Sequence, residues 1–286
     1  MPALSRQFLF AIVSVLIAMM VIQSGASIAK TLFPLIGPEG TTALRVGFAA
    51  LLLSLVFQPW RHWPQGKSRQ AIVLYGLCLG GMNLMFYLAI ARIPLGIAVA
   101  LEFTGPLAVA LLSSKRKLDL LWVALAILGI TCLLPWQGEQ AVLDPLGVVL
   151  ALGAGACWAG YIIYGQRSGG AISGGAAVAI GMGVAACFLV PIGVVSAGSA
   201  LLDGSVLLFG LAVALMSSAI PYSLEMVALK RLPAQSFSIL MSLEPAIAAL
   251  AGLLILSEQL SLLQWGAIAA VITASLGSSL TAKKAP

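Results

Sequence analysis

The chain has 286 residues, 61% of them hydrophobic and 8% charged, with a mean hydropathy of +1.09. A soluble domain carries about 25% charged residues; 15 basic and 9 acidic side chains cannot give a core of this size a polar skin, which excludes a soluble enzyme and a free nucleic-acid binder. The formal charge of +6 reads first as an orientation signal, because a basic excess confined to one side of a membrane sets topology.

Apolar stretches long enough to cross a hydrocarbon core about 30 Å thick recur along the chain. Ten are predicted, at residues 8-29, 39-57, 70-91, 94-113, 119-135, 144-165, 175-197, 204-229, 233-256 and 261-281. Strand alternation is missing and the interiors are rich in Leu, Ala, Ile and Val, so the predicted fold class is an all-α integral membrane protein. The first stretch follows Arg6 and carries Ser27-Ile28-Ala29 near its end, like a cleaved leader, but it is long for one and its removal would leave nine helices. The longest loop, near Gln58 to Arg69, is about a dozen residues, so the chemistry is expected inside the bundle. With the amino terminus in the cytoplasm, twelve Lys and Arg fall inside and only Lys30 and Arg92 outside, with Arg45 within a span; both termini are therefore expected in the cytoplasm. The basic loops are expected to meet anionic lipid.

A shift of 139 residues lays the third and fourth stretches on the eighth and ninth. Arg92 meets Arg231, Pro94 meets Pro233, Pro106 meets Pro245 and Asp119 meets Glu258. Ala and Leu coincidences count for little in apolar sequence; the Arg-x-Pro frame with a second Pro twelve residues on carries the signal. Two five-helix halves are expected, 1-140 and 141-286, within one membrane domain. Five is odd, so the second half enters the bilayer in the opposite sense, an inverted repeat suited to alternating access at the interface of the halves.

An ionised group at mid-bilayer costs on the order of 2.5–3.5 kcal/mol on insertion scales, so such residues usually face a cavity or a partner. Arg45, Glu102, Glu225 and Glu244 qualify. Glu102 and Glu244 fall about 12 and 16 Å from the starts of their stretches, near the midplane, and each is tied to a proline, in GIAVALEFTGPLAVAL and MSLEPAIAAL. Proline frees a carbonyl where a substrate or proton can use it; the alternative is a packing kink with a neutral Glu. Glu225 lies near a span end with Lys230 and Arg231 just beyond, so a local ion pair competes with a transport role. Arg45 either snorkels to water or turns inward to hold a substrate carboxylate. Gln23, Ser24 and Ser27, Asn83 and Tyr87, Trp158 and Tyr161, and Tyr222 complete the candidate lining, with packing as the competing role for the aromatics and an interhelical hydrogen bond for Asn83. Pro106, Pro221 and Pro245 are candidate hinges. Cys78, Cys132, Cys157 and Cys187 read as small packing residues, and His62 stands alone in a loop, so neither a metal nor a cofactor is expected. There is no Walker motif and no TVGYG-like filter, which argues against an ATPase and a familiar potassium channel.

Ten stretches, the Arg-x-Pro opening of the fourth and ninth, and the Glu-Pro pair resemble the drug/metabolite transporter superfamily, in its EamA-type branch. QSGASIAKTLFPLIG, LGGMNLMFYLAI, ALGAGACWA and PYSLEMVALKRLP are similar to segments of bacterial inner-membrane threonine and homoserine exporters. The resemblance implies a transporter rather than an enzyme, exporting small amino acids from the bacterial cytoplasm, with protons as the expected coupling partner. A zwitterion needs an acceptor for its ammonium, which Glu102 or Glu244 can supply, and a donor for its carboxylate, from Arg45 or Asn83. The sequence does not divide substrate and proton between the two glutamates. A broader drug or metabolite exporter, a passive channel, and a membrane scaffold or sensor remain as other readings.

Overall fold

The computed structural model describes residues 6–62, 66–112, 118–133, 143–168, 174–229, 231–232 and 234–281. Among them all regular structure is helical. The α-helices are α1 (Arg6–Phe57), α2 (Lys67–Ile90), α3 (Leu95–Glu102), α4 (Thr104–Leu112), α5 (Leu118–Leu133) and α6 (Pro145–Ser168), followed by α7 (Gly174–Ala197), α8 (Gly204–Ala214), α9 (Ile220–Leu229), α10 (Ala234–Met241), α11 (Glu244–Leu256) and α12 (Leu262–Thr281). Among the described residues, five stretches are long and apolar enough to cross a membrane: Leu9–Phe57, Ser68–Ile90, Pro145–Arg167, Gly175–Leu202 and Ile239–Leu256. Shorter apolar helices cover Leu95–Val109, Leu120–Cys132, Gly204–Ala219 and Leu262–Ser278. Large apolar side chains such as Leu55, Val56, Val195, Leu254 and Leu262 point outward, a surface stable only against hydrocarbon. This is a multi-pass membrane protein.

The elements depart from simple rods where glycine and proline dictate. A straight helix of 52 residues would be about 78 Å long, far more than the bilayer core, and α1 instead turns at Gly37, between Pro34 and Pro38. Gly37 has φ 69° and ψ 169°, a conformation that a Cβ would strain. The expected stretches 8-29 and 39-57 are therefore the two arms of α1. Stretch 94-113 is interrupted at Phe103, between α3 and α4, and stretch 233-256 at residues 242–243, between α10 and α11. Stretch 204-229 carries a π-helical turn, Leu215–Ala219, between α8 and α9. Each interruption falls just before one of Pro106, Pro245 and Pro221, because a proline withholds the amide that would reach back to the preceding turn. At the start of α8, Asp203 accepts the Ser205 hydroxyl and the Ser205 and Val206 amides, which holds its carboxyl below the usual range.

Helices in hydrocarbon associate through close packing, and small residues mark the crossings. The second arm of α1 lies on α7, with Ala43 against Gly193 and Ala197 against Gly40. The first arm packs against the π turn and α9, with Gly25 beside Met216 and Ser217. In the same way α2 packs against α6, with Cys78 beside Gly160. The crossing of α3 and α11 brings Gly96 onto Ala249, and α5 lies on α12. The largest apolar core among the described residues gathers Ile36, Ile90, Ile93, Leu95, Leu143 and Leu201.

Candidate functional site

A cavity of about 320 Å³ lies between α1, α2, α3, α6, α9, α10 and α11. It collects eight of the twelve predicted lining residues: Gln23, Arg45, Asn83, Glu102, Trp158, Tyr161, Glu225 and Glu244. Helical spacing explains the grouping, since residues three or four apart share a face: Gln23 with Ala26, Asn83 with Phe86, and Trp158 with Tyr161. The broken stretches then deliver two carboxylates, Glu102 as the last residue of α3 and Glu244 as the first of α11.

Polar contacts fix the walls unequally. Gln23 Nε2 donates to Glu244 Oε1 at 3.2 Å, while Glu244 Oε2 is buried without a hydrogen-bond partner. Arg45 is 7% exposed and turned inward rather than snorkelling. Its terminal nitrogen donates to the Ser217 carbonyl at 3.3 Å, its guanidinium lies 5.1 Å over the Tyr87 ring, and its Nε has no partner. Asn83 lines the cavity but spends one amide proton on the Leu79 carbonyl of its own helix, at 2.7 Å. Trp158 meets Phe103 edge-on at 5.5 Å and Tyr161 stacks on Tyr75 at 4.6 Å, so both aromatics pack and line the cavity at once.

Tyr87 is not in the wall. Tyr87 is fully buried behind Arg45, its hydroxyl without a hydrogen-bond partner among the described residues. The Tyr222 side chain lies outside the described part of the structure. Ser24 and Ser27 also stand outside the lining; Ser27 is buried and donates to the Gln23 carbonyl at 2.9 Å. Glu225 faces the cavity, and among the described residues it has no basic partner: Arg231 instead lies over Phe10 at 5.2 Å, and Lys230 falls outside the described residues. Sequence reading missed the apolar wall, Ile22, Met82, Phe86, Val99, Phe237 and Met241. The available signal was position, since Met82 and Phe86 flank Asn83 on its helical face. It also missed the Ser217 carbonyl, which Pro221 four residues later marks as lacking its usual amide.

One cation, three carboxylates and an apolar wall around a void of about 320 Å³ can hold a small molecule carrying both charges. Among the described residues no group of three His, Cys, Asp or Glu is placed to hold a metal ion. The described cysteines are unpaired, Cys78, Cys132 and Cys157 half-buried and Cys187 exposed.

Residues 145–280 match the EamA-like transporter family. The chain is 55% identical over 275 residues to the threonine/homoserine exporter RhtA of Salmonella typhimurium, covering 96% of this chain and 93% of that one. It is 55% identical over 273 residues to the threonine/homoserine exporter RhtA of Escherichia coli, covering 96% and 92%. A crystal structure with 17% sequence identity superposes with a TM-score of 0.58 over 94% of this chain and 96% of the other, a likeness of fold.

Proposed function

Because the chain belongs to the EamA-like transporter family, a family of transporters and not of enzymes, we propose that it exports small amino acids, threonine and homoserine foremost, across a bacterial inner membrane. The carrying observation is the cavity that Arg45, Glu102 and Glu244 line together, with Arg45 Nε and Glu244 Oε2 buried and without a hydrogen-bond partner among the described residues. A zwitterion satisfies both: its carboxylate meets Arg45, with Asn83 as a further donor, and its ammonium meets Glu244 or Glu102. The apolar wall then takes the side chain. Glu225 and the Trp158 and Tyr161 edges complete the enclosure, and Tyr222 is assigned to the same lining.

The architecture we propose is ten membrane-spanning stretches in two inverted halves, 1-140 and 141-286, with both termini in the cytoplasm. Exchange in the packing supports it: α2 on α6 has its counterpart in the π turn and α9 on the first arm of α1. The second arm of α1 on α7, α3 on α11 and α5 on α12 each join corresponding stretches. Two such halves give inward-open and outward-open states about the shared cavity, and a carboxylate in that cavity carries the coupled proton. The prolines at 106, 221 and 245 are the hinges of this exchange.

The test is uptake of labelled threonine or homoserine by proteoliposomes. Exchange faster under a proton gradient is expected, and Glu102→Gln weakens it. No substrate-dependent flux above empty liposomes overturns the transporter reading. The apolar wall formed by Met82, Phe86, Phe237 and Met241 favours a second reading, a broader metabolite or drug exporter; flux of unrelated organic cations without amino-acid flux would select it.

A further inference from the structure

We infer that Pro221 is a positioning residue for substrate recognition: by withholding an amide from the Ser217 carbonyl, it creates the buried acceptor that aims Arg45 into the cavity. The inference rests on the reading of Arg45 as the receptor for the substrate carboxylate.

In an uninterrupted α-helix the Ser217 carbonyl would accept the amide of residue 221. Proline has none, and the π-helical turn Leu215–Ala219 lies immediately before it. Ser217 is fully buried, so bulk water cannot take the carbonyl, and a buried carbonyl must find a donor. Its own hydroxyl is already committed to the Val213 carbonyl at 2.6 Å. Arg45 answers the demand from α1, donating at 3.3 Å. A Cβ on Gly25 would stand 3.2 Å from the Ser217 amide nitrogen, so α1 sits directly on this turn. The Tyr87 ring under the guanidinium supplies the second support. Held by the carbonyl at one nitrogen and by the ring beneath, Arg45 lines the cavity with its buried Nε unpartnered among the described residues. An ordinary residue at 221 restores the local amide, which competes for the carbonyl and releases Arg45 from one of its two supports.

The test compares threonine with threoninol, the same molecule bearing an alcohol in place of the carboxylate, as competitors of labelled threonine in proteoliposomes. The wild type is expected to prefer threonine. Pro221→Ala is expected to shrink that preference by about tenfold, the worth of one hydrogen bond to a charged group, whatever its effect on the maximal rate. Pro221→Gly restores the same amide in a more pliant backbone and is expected to act alike; Tyr87→Leu shrinks the preference in the same sense. Because both competitors are measured on the same protein, lost stability does not move the ratio. A ratio unchanged in both Pro221 variants while Arg45→Met collapses it overturns the inference and leaves the receptor reading standing. A fall in maximal rate at constant ratio overturns it in favour of a simple hinge. If the wild type does not discriminate, or Arg45→Met leaves discrimination intact, the receptor reading itself fails and takes the inference with it.

Discussion

The two interrupted stretches deliver a carboxylate to the same cavity by related means and in unequal settings. In the first, α3 ends at Glu102, the chain breaks at Phe103, and Pro106 follows one turn later. In the second, the break comes at residues 242–243 and α11 begins with Glu244 and Pro245. A helix end of the first kind presents carbonyl oxygens, whereas at the start of α11 Pro245 has no amide and the Ala246 and Ile247 amides are bonded to the Leu243 carbonyl. The Gln23 amide adds a donor to Glu244, whereas Glu102 has no side-chain hydrogen bond among the described residues. Repetition therefore yields two acids that differ in their surroundings, because the break falls after one and before the other. Under the proposed function, Glu244 would be the better fixed acceptor for an ammonium and Glu102 the freer group for a proton.

That asymmetry breaks most directly at Glu244. Glu244→Gln keeps the shape and removes the charge, and threonine affinity is expected to fall on the order of 100-fold, as for one partner of a desolvated charge pair. Competition binding on purified protein reads it; an affinity within a few-fold of wild type would mean that the ammonium sits elsewhere. Glu102→Gln is expected to change affinity by less than about fivefold and to abolish the acceleration of exchange by a proton gradient. Flux measured with and without the gradient separates the two residues. Gradient dependence that survives in Glu102→Gln and disappears in Glu244→Gln would reverse the assignment.

How much of this was legible follows from what each signal depends on. The helices were legible because hydropathy and length are local properties, and Glu102, Glu244 and Arg45 stood out because charge in oil is rare. That Glu102 and Glu244 lie on corresponding stretches was visible in the repeat; that one ends a helix and the other begins one was not. The difference depends on where backbone strain settles around Pro106 and Pro245, a balance between neighbouring turns. Arg45 carried two equal readings, since the direction of a long side chain is decided by partners on other elements. Here those are Ser217 and Tyr87, remote in sequence by 172 residues for the first. The apolar wall was hidden for a plainer reason: in a chain this hydrophobic, Phe237 or Met241 looks no different from a lipid-facing neighbour.

The first break also has a packing requirement. Pro106 deprives the Glu102 carbonyl of its usual amide, and Gly155 of α6 covers that carbonyl so closely that an added Cβ would lie 2.6 Å from its oxygen. Gly155→Ala is expected to cost about 1–3 kcal/mol of stability, since the obstructing atom is backbone and cannot rotate away. Gly183→Ala is the control: nothing lies within 4 Å of the added methyl, and a mid-helix alanine is expected to be neutral or stabilising by a few tenths of a kcal/mol. Thermal unfolding in detergent compares them; equal midpoints would show that α3 and α6 can separate without loss.

The smallest expected effect tests how the two interrupted stretches are held together away from the cavity. Glu258, just beyond the end of α11, accepts Lys30 of α1 at 2.6 Å through Oε1 and the Leu95 amide that opens α3 at 2.8 Å through Oε2. One carboxylate thus ties the far end of the second interrupted stretch to the near end of the first, with side-chain exposures of 25% for Lys30 and 13% for Glu258. Lys30→Met removes only the ion pair and is expected to cost about 0.5–1 kcal/mol, partly screened by salt. Glu258→Ala also uncovers the Leu95 amide and is expected to cost about 1–2 kcal/mol. Exchanging the two charges in Lys30→Glu with Glu258→Lys restores the pair but leaves the amide without its acceptor, so the double variant should recover the Lys30→Met loss and retain the rest. Recovery to full wild-type stability would mean that the contact with α3 contributes nothing, and that the two stretches are joined only through their apolar crossing at Gly96 and Ala249.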